Sequence, residues 1–88
     1  MAPDDDPVAA YLRELWREML RIERVDPDLT FHALGGDSLL MVHMLVAVTA
    51  NFDCEIDYED FLEAPSLTRL ARLVRDALAA NRGPRHLR

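Results

Sequence analysis

The sequence predicts an all-α fold: a small four-helix bundle, three main helices plus one short helix, with a long loop between the first and second. Three observations predict it. Apolar residues recur at three- and four-residue spacing in separate segments, no segment reads as a strand, and prolines and glycines divide the segments. Eighty-eight residues allow one domain. A chain of this size buries about 60–65% of the surface it exposes when unfolded, enough for one modest core.

The first helix is predicted in "DPVAAYLRELWREMLRI". Asp6 is placed to cap it, and Pro7 suits the first helical position because its missing N–H has no partner there anyway. Val8, Leu12, Leu15, Trp16, Met19 and Ile22 share one face, while Arg13, Glu14, Arg17, Glu18 and Arg21 fill the other. Glu14 and Glu18 precede Arg17 and Arg21 at favourable spacings.

"ERVDPDLTFHALGG" then forms the loop, opened by Pro27 and closed by Gly35 and Gly36. A connection this long in so small a domain is pinned by its own side chains or is functional. Val25, Leu29, Phe31 and Leu34 are the candidate pins.

The second helix begins at Asp37 or Ser38 and runs to about Asn51. Met41, Met44, Leu45, Val48 and Phe52 fall together on a core-facing side, and Leu39, Val42, His43, Val46 and Ala50 fall opposite. A helix apolar nearly all round is either fully buried or half committed to a partner. A bundle this small favours the partner.

Asp57 caps a short third helix running through Leu62, anchored by Tyr58, Phe61 and Leu62 and stopped by Pro65. Ser66 caps the fourth, with Leu67, Leu70, Ala71, Val74, Ala77 and Leu78 inward and Arg69, Arg72, Arg75 and Asp76 outward. Residues 1–6 read as a disordered acidic N-terminus, 7–80 as the folded domain and 81–88 as a flexible basic tail.

Charge narrows the partners. Sixteen acids oppose ten basic residues, all arginine, and three of those arginines lie in the last seven residues. Such a surface repels phosphate backbones, so no nucleic-acid partner is expected. Six acids and no basic residue stand between Asp53 and Glu63, an expected solvated face. No apolar run has membrane length, and "MAPDDDP" carries acids where a targeting segment carries basic residues. A cytoplasmic protein with no membrane partner is expected. The lone Cys54 has no second cysteine for a disulfide and reads as a small, half-buried apolar residue.

The chemistry concentrates in "LGGDSLL". Ser38 sits in the first turn of a helix, beside backbone N–H groups that have no intrahelical partner and that favour an attached anion. Gly35 and Gly36 let the backbone turn tightly and leave the hydroxyl unshielded, and Asp37 can fix where it points. The site suits a serine carrying a phosphate ester. The plain alternative is that Asp37 or Ser38 is only a helix cap. A serine esterase, whose "GDSL" letters also appear, needs a base, an orienting group and an oxyanion hole. The available histidines are His32 in the loop, His43 on the same helix and His86 in the tail. A complete esterase is not expected, and no catalytic or metal-binding residue is assigned.

"LGGDSLL" resembles the phosphopantetheine attachment motif of acyl and peptidyl carrier proteins. "FHALGGDSLLMVHMLVAV" and "IDYEDFLEAPSLTRLARLV" are similar to that family in content and spacing, so the resemblance covers about residues 8 to 80. It is most like a peptidyl carrier of non-ribosomal peptide synthesis. The resemblance implies a 4′-phosphopantetheine from coenzyme A, attached to Ser38 by a phosphopantetheinyl transferase and flanked by Gly35, Gly36 and Asp37. It also implies a non-catalytic monomer that carries aminoacyl or peptidyl thioesters between adenylating, condensing and tailoring enzymes. Those partners would dock on Leu39, Val42, His43 and Val46, with Leu34 and Phe31 at the loop end. Phe31 and Leu34 are equally candidates for loop anchors.

The second helix lacks the acids usual in fatty-acid-type carriers, which favours the peptidyl class. Asp37 stands where many peptidyl carriers have His, and Asp there also occurs in polyketide and aryl carriers. An acyl or aryl carrier therefore stays open as the alternative, with an unmodified interaction module behind it. Met1 and the absence of neighbouring domains set the expectation of a free-standing carrier, although an excised domain would read the same.

Overall fold

The computed structural model describes residues 6–81. Four helices follow in order: α1 (Pro7–Leu20), α2 (Ser38–Phe52), α3 (Tyr58–Glu63) and α4 (Leu67–Asn81). α1 packs on α4 and α2, and α3 packs on α4. Among the described residues there is no strand; one isolated antiparallel bridge joins Thr30 to Ser66.

α1 starts where expected, with Asp6 Oδ1 accepting from the Val8 N–H at 3.0 Å. Asp6 also pairs with Arg75, tying the start of α1 to α4. Of the terminal expectations, Asp6 is therefore a helix cap and Asn81 the last residue of α4. The rest of both termini lies outside the described residues.

Val8, Leu12 and Trp16 are buried one turn apart, with Leu15, Met19 and Ile22 packed partly against the core. Full burial of such side chains stabilises by about 1.5–3 kcal/mol each. Glu14 and Arg17 pair at 3.0 Å. Arg21, expected to pair with Glu18, has instead left the helix with φ 58° and caps it. A left-handed L-residue is strained by about 1–2 kcal/mol, which glycine avoids at some entropic cost. Arg21→Gly should therefore raise stability by about 0.5 kcal/mol, read as a higher Tm in calorimetry.

The loop after α1 is pinned by Val25, buried, and Phe31, fully buried, with Leu34 half-buried against the core. Leu29 is not a pin: it stands 44% exposed. Its backbone belongs to a turn on Asp26, whose Oδ1 accepts from Asp28 and whose carbonyl accepts from Leu29, and this turns the side chain outward. Long-range backbone bonds replace it. The Phe31 N–H donates to the Pro65 carbonyl at 2.8 Å, and the Thr68 N–H donates to the Pro27 carbonyl at 3.0 Å.

α3 is capped by Asp57, which accepts from Glu59 and Asp60. Only Phe61 of its three expected anchors is buried; Tyr58 and Leu62 are exposed. A helix shorter than two turns presents one position to the core, and Phe61 takes it. The Ser66 hydroxyl accepts from the Arg69 N–H at 3.2 Å, the expected cap of α4. Leu67, Leu70, Ala71 and Val74 are buried beneath it, with Ala77 and Leu78 packed at the edge. No helix among the described residues is long and apolar enough to cross a membrane.

Candidate functional site

The approach to Ser38 is built from a single helical turn. The Thr30 hydroxyl accepts from the Ala33 N–H, and the Thr30 carbonyl accepts from Leu34. The turn then ends as many helices do. The Gly36 N–H reaches back to the Phe31 carbonyl at 2.9 Å, and the Gly35 N–H to His32 at 3.0 Å, with Gly35 at φ +108°. Gly35 is thus required for its backbone angle, and open space surrounds the place where a Cβ would stand. Gly36 is required for a different reason: its missing side chain is filled by the Phe31 ring. The sequence signal for this turn was "T-F-H-A-L-G", a cap residue followed five residues later by a helix-ending glycine pair.

Asp37 follows in extended geometry, and its Oδ1 accepts from the Leu40 N–H at 2.8 Å. Asp37, not Ser38, is therefore the cap of α2. Ser38 is the first residue of the helix and is exposed, and its hydroxyl takes no part in the capping bond. A primary hydroxyl stands free at the positive end of a 15-residue helix, beside one capping carboxylate. That arrangement fits a phosphate ester, with the Asp37 charge partly opposing it.

α2 divides as its pattern predicts. Met41, Met44, Leu45 and Val48 are buried. Leu39 is 67%, Val46 61% and Val42 43% exposed, and His43 and Ala50 are exposed beside them. Leu34 lies at the loop end, half-buried. Phe31, the other residue expected there, is fully enclosed and is a loop anchor alone. What sequence reasoning missed is the contribution of the segment after α2. Ile56 and Tyr58 join Val42, Leu45, Val46 and Thr49 in an open groove of about 430 Å³. Ile56 and Tyr58 lie seven to sixteen positions from those α2 residues, beyond the end of the helix, and only the course of the segment after α2 brings them alongside.

The acids from Asp53 to Glu63 are all exposed, and Asp60 lies 3.8 Å from Arg69. Cys54 is more buried than expected. Burial, and then the neighbouring Asp53 carboxylate, push its thiol above the ordinary cysteine range. Little thiolate is then present at pH 8, so Cys54 should react slowly with a disulfide reagent in the folded protein and fully in denaturant. An added pantetheine thiol would therefore read as one fast thiol per chain. A fast-reacting thiol in the unmodified protein would overturn this.

The match to a family model runs over residues 10–74, described as a phosphopantetheine attachment site. The chain belongs to the phosphopantetheine attachment family. Members of this carrier family bear covalently attached 4′-phosphopantetheine. Similar proteins include malpinin synthetase of Mortierella alpina, 38% identical over 60 residues, covering 68% of this chain and 1% of the synthetase. Gramicidin S synthase 2 of Brevibacillus brevis is 30% identical over 76 residues, covering 86% and 2%. Pyochelin synthetase PchE of Pseudomonas aeruginosa is 32% identical over 71 residues, covering 77% and 5%. The chain thus spans a small part of each of these synthetases. A solution structure of a docking-domain complex of the Pax NRPS, PaxA T1-CDD with PaxB NDD, superposes on this carrier with a TM-score of 0.80 at 24% identity. It covers 93% of this chain and 79% of that one, and shows the shared helical fold.

Proposed function

We propose that Ser38 takes the phosphopantetheine of this carrier, and that the loaded chain holds aminoacyl or peptidyl groups as thioesters during non-ribosomal peptide or hybrid synthesis. One observation carries the assignment of the residue: Asp37 supplies the helix cap, which leaves the exposed Ser38 hydroxyl without a structural task. With a transferase, Ser38 Oγ attacks the pantetheine-bearing phosphorus of coenzyme A, the pyrophosphate bond breaks to release adenosine 3′,5′-bisphosphate, and the serine proton passes to a base of the transferase. The attached arm supplies a thiol for the cargo. The chain's own residues do the rest: Gly35 and Gly36 shape the approach, Asp37 orients the serine, and no residue of the carrier catalyses the transfer.

The exposed stripe of Leu39, Val42, His43 and Val46, with Leu34 at its end, is the proposed docking surface for transferase, adenylating, condensing and tailoring enzymes. The lack of acids between Ser38 and Phe52 and the similarity to peptide synthetases support peptidyl over acyl or aryl cargo. The carrier domain is proposed to span residues 6–81, between an acidic N-terminal and a basic C-terminal segment, in a cytoplasmic monomer. Incubation with coenzyme A, Mg²⁺ and a broad-specificity transferase should add the mass of one phosphopantetheine, which peptide fragmentation places on Ser38. Addition at another residue, or none while a control carrier is modified in parallel, would overturn the assignment.

A further inference from the structure

Gly36 sits against the ring of Phe31 more closely than any side chain allows. A Cβ added there would stand 2.3 Å from Cε2 and 2.4 Å from Cδ2, against 3.4–4 Å for ordinary contact. The main chain closes the same pair through the bond from the Gly36 N–H to the Phe31 carbonyl. Phe31 has little freedom of its own. Its ring is fully buried and meets Trp16 of α1 edge to face, with centroids 5.0 Å apart. Its N–H is held by the Pro65 carbonyl at the junction of α3 and α4. Three parts of the fold therefore converge on one residue, and the glycine resting on its ring is two residues from Ser38.

We infer that Phe31 is a positioning residue for the modification of Ser38: its ring is the seat that sets where the Ser38 hydroxyl stands before a transferase. The inference rests on Ser38 being the attachment residue. Phosphoryl transfer requires the attacking oxygen in line with the phosphorus, and a displacement of about 1 Å at a reacting group can cost roughly a hundredfold in rate. An alanine at position 36 demands a separation of about that size between loop and ring. The α2 residues of the docking stripe, Leu39, Val42, His43 and Val46, are exposed on the helix and stay in place, and only Leu34 at its end rides on the turn that shifts. The seat therefore governs kcat rather than recognition.

The test compares transferase kinetics for wild type, Gly36→Ala, Phe31→Leu and the double variant, each checked for fold by circular dichroism. Val74→Ala serves as a control core truncation on α4. Gly36→Ala is expected to lose about tenfold or more in kcat with a KM within about twofold of wild type. A partly unfolded substrate would instead raise the apparent KM. The smaller leucine makes room for the added methyl, so the double variant should recover to the level of Phe31→Leu alone. If Gly36→Ala does not fold, Phe31→Leu alone decides: a lower kcat at an unchanged KM in a folded protein supports the seat, and a wild-type kcat overturns it. Unchanged kcat in a folded Gly36→Ala, or an equal loss in Val74→Ala, also overturns it. If wild type itself takes up no phosphopantetheine at Ser38, the attachment assignment fails first, and the two failures are thereby told apart.

Discussion

Ser38→Ala is expected to gain no mass on incubation with coenzyme A and transferase, while unfolding at nearly the same urea concentration as wild type. The two halves of this result depend on the division of labour at the start of α2. Asp37 makes the bond to the Leu40 N–H, so removing the Ser38 hydroxyl leaves no backbone donor unsatisfied. Alanine is also the better helix former, which bounds the stability change within about ±0.5 kcal/mol. Asp37→Ala, by contrast, removes the cap and should cost about 1 kcal/mol. Intact-mass measurement and urea titration read the two effects separately. A Ser38→Ala protein that is still modified, or one that loses more stability than Asp37→Ala, would show that the roles of the two residues are reversed.

Phe31→Ala is expected to remove about 3–5 kcal/mol, the largest stability loss of any single loop substitution. A fully buried aromatic ring leaves a cavity that the surroundings close only in part, and its edge-to-face contact with Trp16 is lost as well. Domains of this size hold about 5–15 kcal/mol in all, so the variant should be substantially unfolded in mild denaturant. Trp16 is the chain's single tryptophan and borders the cavity, so its fluorescence reports the transition directly. Leu29→Ala, from the same loop, should shift the midpoint hardly at all because Leu29 is exposed. Equal losses for the two would mean that the loop is held by its composition rather than by Phe31.

These two residues show how far the sequence could be read. Ser38 was legible because its setting is local: a glycine pair, an acid and an apolar run are adjacent letters, and helix ends follow from adjacent letters. Phe31 was legible only as one of several loop hydrophobics. Its neighbour Leu29 carries the same apolar signal and faces solvent, because a turn on Asp26 decides its direction. Tyr58 and Leu62 failed as anchors for a related reason. In a helix of six residues, periodicity has too few turns to name the buried face.

By itself the sequence determined the four helices, the caps at Asp6, Asp57 and Ser66, the two apolar faces of α2 and the serine at its head. Each of these depends on residues within a few positions of one another, where propensity, capping and helical spacing act. The structure decided the local question of whether Asp37 or Ser38 caps α2, and the tertiary structure alone decided that Phe31 fills the space of a missing Gly36 side chain and that Thr30 bridges to Ser66. The capping choice turns on which of two adjacent oxygens reaches one N–H, a matter of backbone angle. The other two join residues of separate elements, brought together by the burial of Trp16, Phe31 and Phe61 in one core. Burial of that kind is a property of the whole chain, set by which surfaces leave water together.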